Sequence, residues 1–364
     1  MTSTLPTVTG TFADGRGPGN NWRERLFKAI LTQRVILLAI LIVVVVVTMS
    51  ILDAAGLMAG SYNSDYLAGA LINAVPLVML GLAQLVVIVS GRGGIDLSVG
   101  AMVSVVSMVF GFMYGIWGMP LWFSIIAAVV VGALLGAVNG VLVAYLGFPP
   151  LIATLATYYA YRSLAIVINN QQPISTPPIQ DLYDLSRSVE LPFIGQYLPN
   201  IPLGLVIFMI PTVIVVWFLL NRAPYGRRLY GIGTNDTAAR WAGVDVPQTR
   251  MLAYVISGAI SGLVAVVTVS QFASARPDAG DAGSGMALPS ITIAVLAGVA
   301  ITGGIGRVSG VVLATILVLW LNAGILLLFV GNLGSQLQSL ALGLILVFAA
   351  LLNGYTNRRF RLMK

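Results

Sequence analysis

Apolar runs too long for the core of a small soluble domain recur along this chain, and they restrict it to a helical fold inside a membrane. Residues 35–52 are interrupted only by the polar Thr48 and Ser50. A helix needs about 20 predominantly apolar residues to cross a hydrocarbon core of roughly 30 Å. Every backbone polar group at that depth must be bonded within the protein, so such runs become helices rather than open strands. Further runs follow at 66–89, 95–116, 121–146, 151–168, 201–220, 251–272, 288–302, 308–330 and 334–352. The expected fold is an all-α polytopic membrane protein of about ten transmembrane helices.

Composition bears this out at the level of charge: 9% of residues are charged, against about 25% in ordinary soluble domains. The net charge of +7 could suit nucleic acid, but its distribution points to topology instead. With the N-terminus inside, all Lys and Arg fall in inner segments except Arg187 and Arg276 outside and Arg162 within the fifth run, as the positive-inside rule requires. The expected location is therefore a bacterial cytoplasmic (inner) membrane, multi-pass, with both termini cytoplasmic and no nucleic-acid partner. Residues 1–34 read as a cytoplasmic tail, polar and Gly-, Thr- and Pro-rich, ending in an interfacial helix at 22–33 with Arg23, Arg25 and Lys28 around an apolar face. Residues 35–352 form the transmembrane domain, and 353–364 a basic cytoplasmic tail.

The chain has no Cys and no His. Thiolate or disulfide chemistry and an imidazole base are thereby removed, and no catalytic residue is expected. There is also no G-x-x-x-x-G-K-[ST] phosphate cradle, and the runs lack the acid or His relays of a proton-coupled carrier. A transporter with neither engine must borrow one.

Three kinds of segment are singled out. The Gly-rich break at 90–100, S-G-R-G-G-I-D-L-S-V-G, sets a carboxylate at the mouth of an apolar run, and Gly93, Gly94, Asp96 and Ser98 are assigned to an inner gate. The loop at 221–250 is long for a connection. Within it Asn235 and Asp236 precede T-A-A-R-W-A-G, a short helix capped by Asn235 and stopped by Gly243. Asn235, Asp236, Ala238, Ala239, Arg240 and Gly243 are assigned to docking of a cytosolic ATPase. The polar residues within runs, Asn73, Gln84, Asn139, Thr154, Thr157 and Asn322, each either bond a neighbouring helix or line a solute path, and Asn73, Asn139, Thr154 and Asn322 are the candidates for the path. Gly pairs three or four apart at 132–140 and 257–262 suit close helix packing.

These motifs resemble the membrane permease subunits of ABC importers for monosaccharides of the ribose, xylose, arabinose and galactose type. The resemblance covers about 73–352. It rests on G-G-I-D-L-S-V-G at 93–100, V-N-G-V-L-V-A-Y-L-G-F-P-P-L-I-A-T-L-A-T at 138–157 and Y-R-S-L-A at 161–165. It rests further on Q-P-I-S at 172–175, G-R-R-L-Y-G-I-G-T-N-D-T-A-A-R-W-A-G-V at 226–244, L-A-G-V-A-I-T-G-G-I-G-R-V-S-G at 296–310 and N-A-G at 322–324. It implies a vitamin-B12-permease-like (type II ABC importer) fold and alternating access. It also implies cytosolic ATP-binding subunits holding ATP and Mg, a second permease copy or homologue, and an extracytoplasmic solute-binding protein. No cofactor is expected in this chain. The implied cargo is a monosaccharide or similar polyol. An amino acid or a furanosyl signalling molecule is the alternative, with a secondary carrier or channel behind it. Two departures stand out: S-G-R-G-G lengthens the turn before Asp96 and adds Arg92, and G-M-A-L-P-S-I-T-I-A at 285–294 replaces the family's acidic E-L-D-A-I-A-A segment. An inverted repeat pairing 95–105 with 286–296 is also expected.

Overall fold

The structure is a computed structural model and describes residues 33–189, 199–281 and 285–360. The expected interfacial helix and nearly all of the N-terminal tail lie outside them. The described residues form helices α1 (Arg34–Ala54), α2 (Ser64–Val89), α3 (Val99–Ile116), α4 (Leu121–Tyr145) and α5 (Pro150–Val167). There follow α6 (Pro177–Asp181), α7 (Leu205–Asn221), α8 (Pro224–Thr234), α9 (Asp236–Trp241), α10 (Val246–Phe272), α11 (Ala287–Leu296), α12 (Val308–Leu328) and α13 (Asn332–Phe360). The described strands, β1 (Ser188–Val189) and β2 (Ile201–Pro202), pair antiparallel in one small ribbon.

Among the described residues seven helices, α1, α2, α3, α4, α10, α12 and α13, are long and apolar enough to cross a membrane. The pair α7 and α8 makes an eighth span if its 67° bend is bridged. Pro224 at the bend has no N–H to donate, and Ala223 before it is extended at ψ 152°, as a residue preceding proline prefers. The run expected at 151–168 is α5, made less apolar by Thr154, Thr157, Arg162 and three tyrosines. The run expected at 288–302 is helical only from Ala287 to Leu296. Ten residues rise about 15 Å, half the hydrocarbon thickness, and the chain then turns through Gly298 (φ 85°) and Gly303 (φ 99°). The run expected at 95–116 likewise becomes helical only at Val99.

Helix α10 is the central post, packed against α4, α2 and α3. It meets α4 backbone to backbone: a Cβ on Gly132 would strike the Gly258 carbonyl, and a Cβ on Gly258 would strike the Gly132 carbonyl. Such small-residue contact is how helices gain packing where lipid offers no hydrophobic contrast. Helix α2 is buried along most of its length, whereas α1, α4 and α13 turn Val43, Leu134 and Leu344 outward. Apolar side chains thus face both inward and outward, as expected of a protein solvated by lipid. One end carries α9 with Arg92, Arg227, Arg228 and Arg307 near it, and is called the basic end. The other holds α6, the β-ribbon and the turn at 273–281.

Candidate functional site

Three backbone turns meet at the basic end. The first leaves α2 through Gly91 (φ 84°), Arg92 (φ 58°) and Gly93 (φ 65°); the second joins α8 to α9; the third is the Gly303–Gly304 turn before α12. Gly233 is enclosed so closely that a Cβ there would strike the Val89 carbonyl, with the Gly304 nitrogen at 2.5 Å. Gly304 N donates to Val89 O at 3.0 Å, and the Tyr230 hydroxyl donates to Gly306 O at 2.8 Å. Motifs that are far apart in sequence therefore form one hub of touching glycines.

From the hub the chain at 94–98 folds back into the bundle and takes Asp96 fully out of solvent. Gln84 of α2 clamps its backbone, donating Nε2 to Asp96 O at 2.6 Å and accepting Asp96 N at Oε1, 3.3 Å. The carboxylate accepts the Ser98 hydroxyl at 2.6 Å, Ser98 N at 3.0 Å and the Ser257 hydroxyl of α10 at 3.2 Å. Asn139 of α4 donates to Ser98 Oγ at 2.8 Å and accepts the Thr157 hydroxyl of α5 at 2.6 Å. Thr154 Oγ1 accepts Leu97 N at 3.2 Å. A buried carboxylate is tolerable only when its acceptor sites are filled; here Ser98 of the same loop and Ser257 of α10 fill them, while Asn139 of α4 and Thr154 and Thr157 of α5 brace Ser98, Leu97 and Asn139 around it. The cluster therefore ties those helices to the loop before α3.

Helix α9 has the caps expected of it. Asn235 Oδ1 accepts Ala238 N at 2.9 Å, and Gly243 adopts φ 79°. At the end, Val244 N reaches Ala239 O and Gly243 N reaches Arg240 O, both at 3.0 Å, closing the last turn. Ala239 packs inward, while Trp241 is 88% exposed and Arg240 is exposed. Asp236 points back into the hub, where Arg250 Nη2 lies 2.6 Å from its Oδ1 and Arg92 Nε 2.7 Å from its Oδ2. Arg250 is 1% exposed and gives the same Nη2 to the Ser90 carbonyl at 3.0 Å.

The residues assigned from sequence are thus regrouped. Gly93, Gly94, Asp96 and Ser98 join Asn235, Asp236, Ala238, Ala239, Arg240 and Gly243 in one assembly, linked through Arg250. Asn139 and Thr154 are buried members of the Asp96 cluster and line neither of the two cavities at the other end. Asn73 and Asn322 lie toward the other end, lining a common cavity. Sequence reasoning read Gln84 as a polar residue that bonds a neighbouring helix or lines a path, and gave no site role to Ser257 or Arg250. Ser257 had the signal of a polar residue within an apolar run, but it sat in a Gly-rich stretch read as packing.

Comparison with known proteins then places the chain. Residues 66–351 match the family model described as branched-chain amino acid transport system, permease component. The chain belongs to this permease family. It is similar to the autoinducer 2 import system permease protein LsrD of Yersinia enterocolitica, 35% identical over 285 residues, covering 78% of this chain and 80% of that protein. The protein of the same name from Yersinia pseudotuberculosis is 32% identical over 285 residues, covering 78% and 79%. No solved structure matches the chain. The chain is therefore the permease component of an ABC import system, a transport subunit rather than an enzyme.

Proposed function

We propose that this permease carries a monosaccharide or similar small polyol across a bacterial cytoplasmic membrane by alternating access, driven by separate ATPase subunits that hold ATP and Mg. Its termini are cytoplasmic, a second permease copy or homologue completes the pathway, and an extracytoplasmic binding protein delivers the solute. The fold is the vitamin-B12-permease-like bundle, with α5, α11 and the bent α7–α8 pair completing about ten membrane segments. The observation that carries the reading is the continuous link from exposed α9 to the buried centre, through Asp236, Arg250, the Ser90 carbonyl and the loop that holds Asp96. Push on α9 and the loop at 90–98 must follow, because a desolvated ion pair and a row of glycines leave it little room to slip. A rocking transition needs such a stiff lever joined to an element with two arrangements.

A second cargo, a small signalling molecule, is favoured by the names of the relatives, which are given as autoinducer 2 importers. The test is ATP hydrolysis by the reconstituted complex with its binding protein, in the presence of ribose, autoinducer 2 or leucine. Stimulation by ribose supports the first reading and by autoinducer 2 the second. Asp96→Asn should weaken that stimulation while the complex still assembles. A variant complex that kept full stimulation and lost only its choice of solute would remove Asp96 from the gate.

A further inference from the structure

The turn between α2 and the loop that holds Asp96 is built against the preference of one of its residues. Gly94 N donates to Gly91 O at 3.0 Å, and the two residues enclosed by that bond, Arg92 (φ 58°) and Gly93 (φ 65°), both have left-handed backbone. Turns with positive φ at both central positions are dominated by Gly, Asn and Asp, because an L side chain crowds the backbone there. An arginine is strained in the first of these positions. Its side chain is 54% exposed, so packing does not account for it.

What the side chain reaches is Asp236, at the start of α9. The two oxygens of that carboxylate are met from different elements: Oδ1 by Arg250 Nη2 of α10 at 2.6 Å, and Oδ2 by Arg92 Nε at 2.7 Å. One tie leaves a short helix free to swing about the bonds of the Asp236 side chain, and a second, on the other oxygen, removes that freedom. Packing adds little restraint, since Ala239 is the buried residue of the six in α9. The two ties differ in kind. Opening the Arg250 tie strips a buried guanidinium of its counter-charge, whereas opening the Arg92 tie returns an exposed guanidinium to water and leaves Asp236 paired. Arg250 is thus a fixed pin and Arg92 a catch that opens and closes.

We propose that Arg92 is a positioning residue, which fixes the orientation in which α9 is presented to the ATPase subunits through a reversible, salt-sensitive ion pair with Asp236. This rests on the reading of α9 as the docking helix and adds to it what aims that helix. A helix that spends only part of its time in the receptive orientation binds its partner more weakly in the same proportion. An exposed ion pair shifts such a population by up to about fivefold.

The experiment titrates the ATPase subunits against the full-length permease at low and high salt, with the thermal midpoint of each permease measured alongside. Arg92→Asn removes the charge and suits the turn, so its midpoint stays at or above that of the wild type. Its affinity for the ATPase subunits falls about three- to fivefold at low salt. At about 1 M salt, where the Debye length shrinks to about 3 Å, the difference from the wild type closes. Arg92→Lys keeps most of the affinity, because the contact runs through one nitrogen and needs no planar fork. Arg307→Gln, which removes another exposed charge of the basic end, leaves the affinity unchanged. Wild-type affinity in Arg92→Asn at low salt overturns the catch, and so does an equal loss in Arg307→Gln, which traces the effect to the overall charge of that end. A lowered midpoint in Arg92→Asn, with binding not restored in Arg92→Lys, assigns Arg92 to the fold of the turn and overturns it as well. Trp241→Ala separates the two readings: wild-type affinity in that variant removes docking at α9 itself, whereas weakened binding there beside an unaltered Arg92→Asn removes the catch alone.

Discussion

Arg250 Nη2 and Asp236 Oδ1 lie 2.6 Å apart, the guanidinium buried and the carboxylate at the root of an exposed helix. The pair is the joint between α9, which faces away from the bundle, and α10, which runs through its centre. Removing Arg250 leaves Asp236 with only the exposed Arg92 as its ion-pair partner and takes the donor from the Ser90 carbonyl. Arg250→Met is therefore expected to lower the stability of the detergent-solubilised permease by about 3 kcal/mol, read as a lower thermal midpoint. Arg250→Lys should recover only part of this, because one nitrogen serves both Asp236 and the Ser90 carbonyl and the shorter, more strongly hydrated lysine is costlier to hold at that buried point.

Two glycines of α8, two residues apart, offer a comparison with an internal control. A Cβ on Gly233 would run into the Val89 carbonyl, whereas one on Gly231 has nothing within 4 Å. Gly231→Ala is expected to be neutral or to stabilise by up to about 1 kcal/mol, since alanine favours helix. Gly233→Ala should force the hub apart and abolish transport. Expression and size-exclusion profiles of the two variants check this, and equal behaviour would show that the hub is soft.

Trp241 tests whether α9 docks a partner. At 88% exposure it contributes little to the fold, so Trp241→Ala should change stability by less than about 0.5 kcal/mol. Exposed aromatic anchors carry much of the energy of an interface, and binding of the ATPase subunits should weaken by about 2 kcal/mol or more. A titration of the ATPase against immobilised permease reads the difference.

Asp281 supplies a pH test at the other end. Burial pushes its carboxyl above the ordinary value of 3.8, against the opposing pull of Arg162, whose Nε is 3.8 Å from Asp281 Oδ2. The native state therefore holds this proton to higher pH than the unfolded chain does. Stability should fall as pH rises from about 4 through the native titration, and level off above it. Asp281→Asn is expected to remove that slope and to stabilise the protein at neutral pH. Thermal midpoints of both proteins between pH 4 and 8 measure it.

How much of this was legible beforehand depends on whether the signal was local. The caps of α9 were readable because Asn235 and Gly243 act on their own turn. The break at 90–100 was readable because glycines and a carboxylate interrupt hydrocarbon. The half-length of α11 was not, since 288–302 is apolar throughout apart from Ser290, Thr292 and Thr302, and hydropathy does not register a positive φ at Gly298. The path candidates were separable only by contacts: Asn139 bonds Ser98 and Thr157 within the cluster, whereas Asn322 looks onto a cavity, although both are amides in apolar runs.

By itself, the sequence determined that the chain lives in a membrane as packed helices, which segments interrupt them, and where its basic charge collects. These follow from run length, backbone hydrogen bonding and the cost of burying charge, which are properties of each segment. Only the tertiary structure decided that Arg250 reaches Ser90 across 160 residues of sequence and Ser257 reaches Asp96 across 161. Every face of an apolar helix is equally apolar, so the sequence does not encode locally which one turns inward. That choice is made by close packing at the glycines and by the demand that each buried polar atom find a partner.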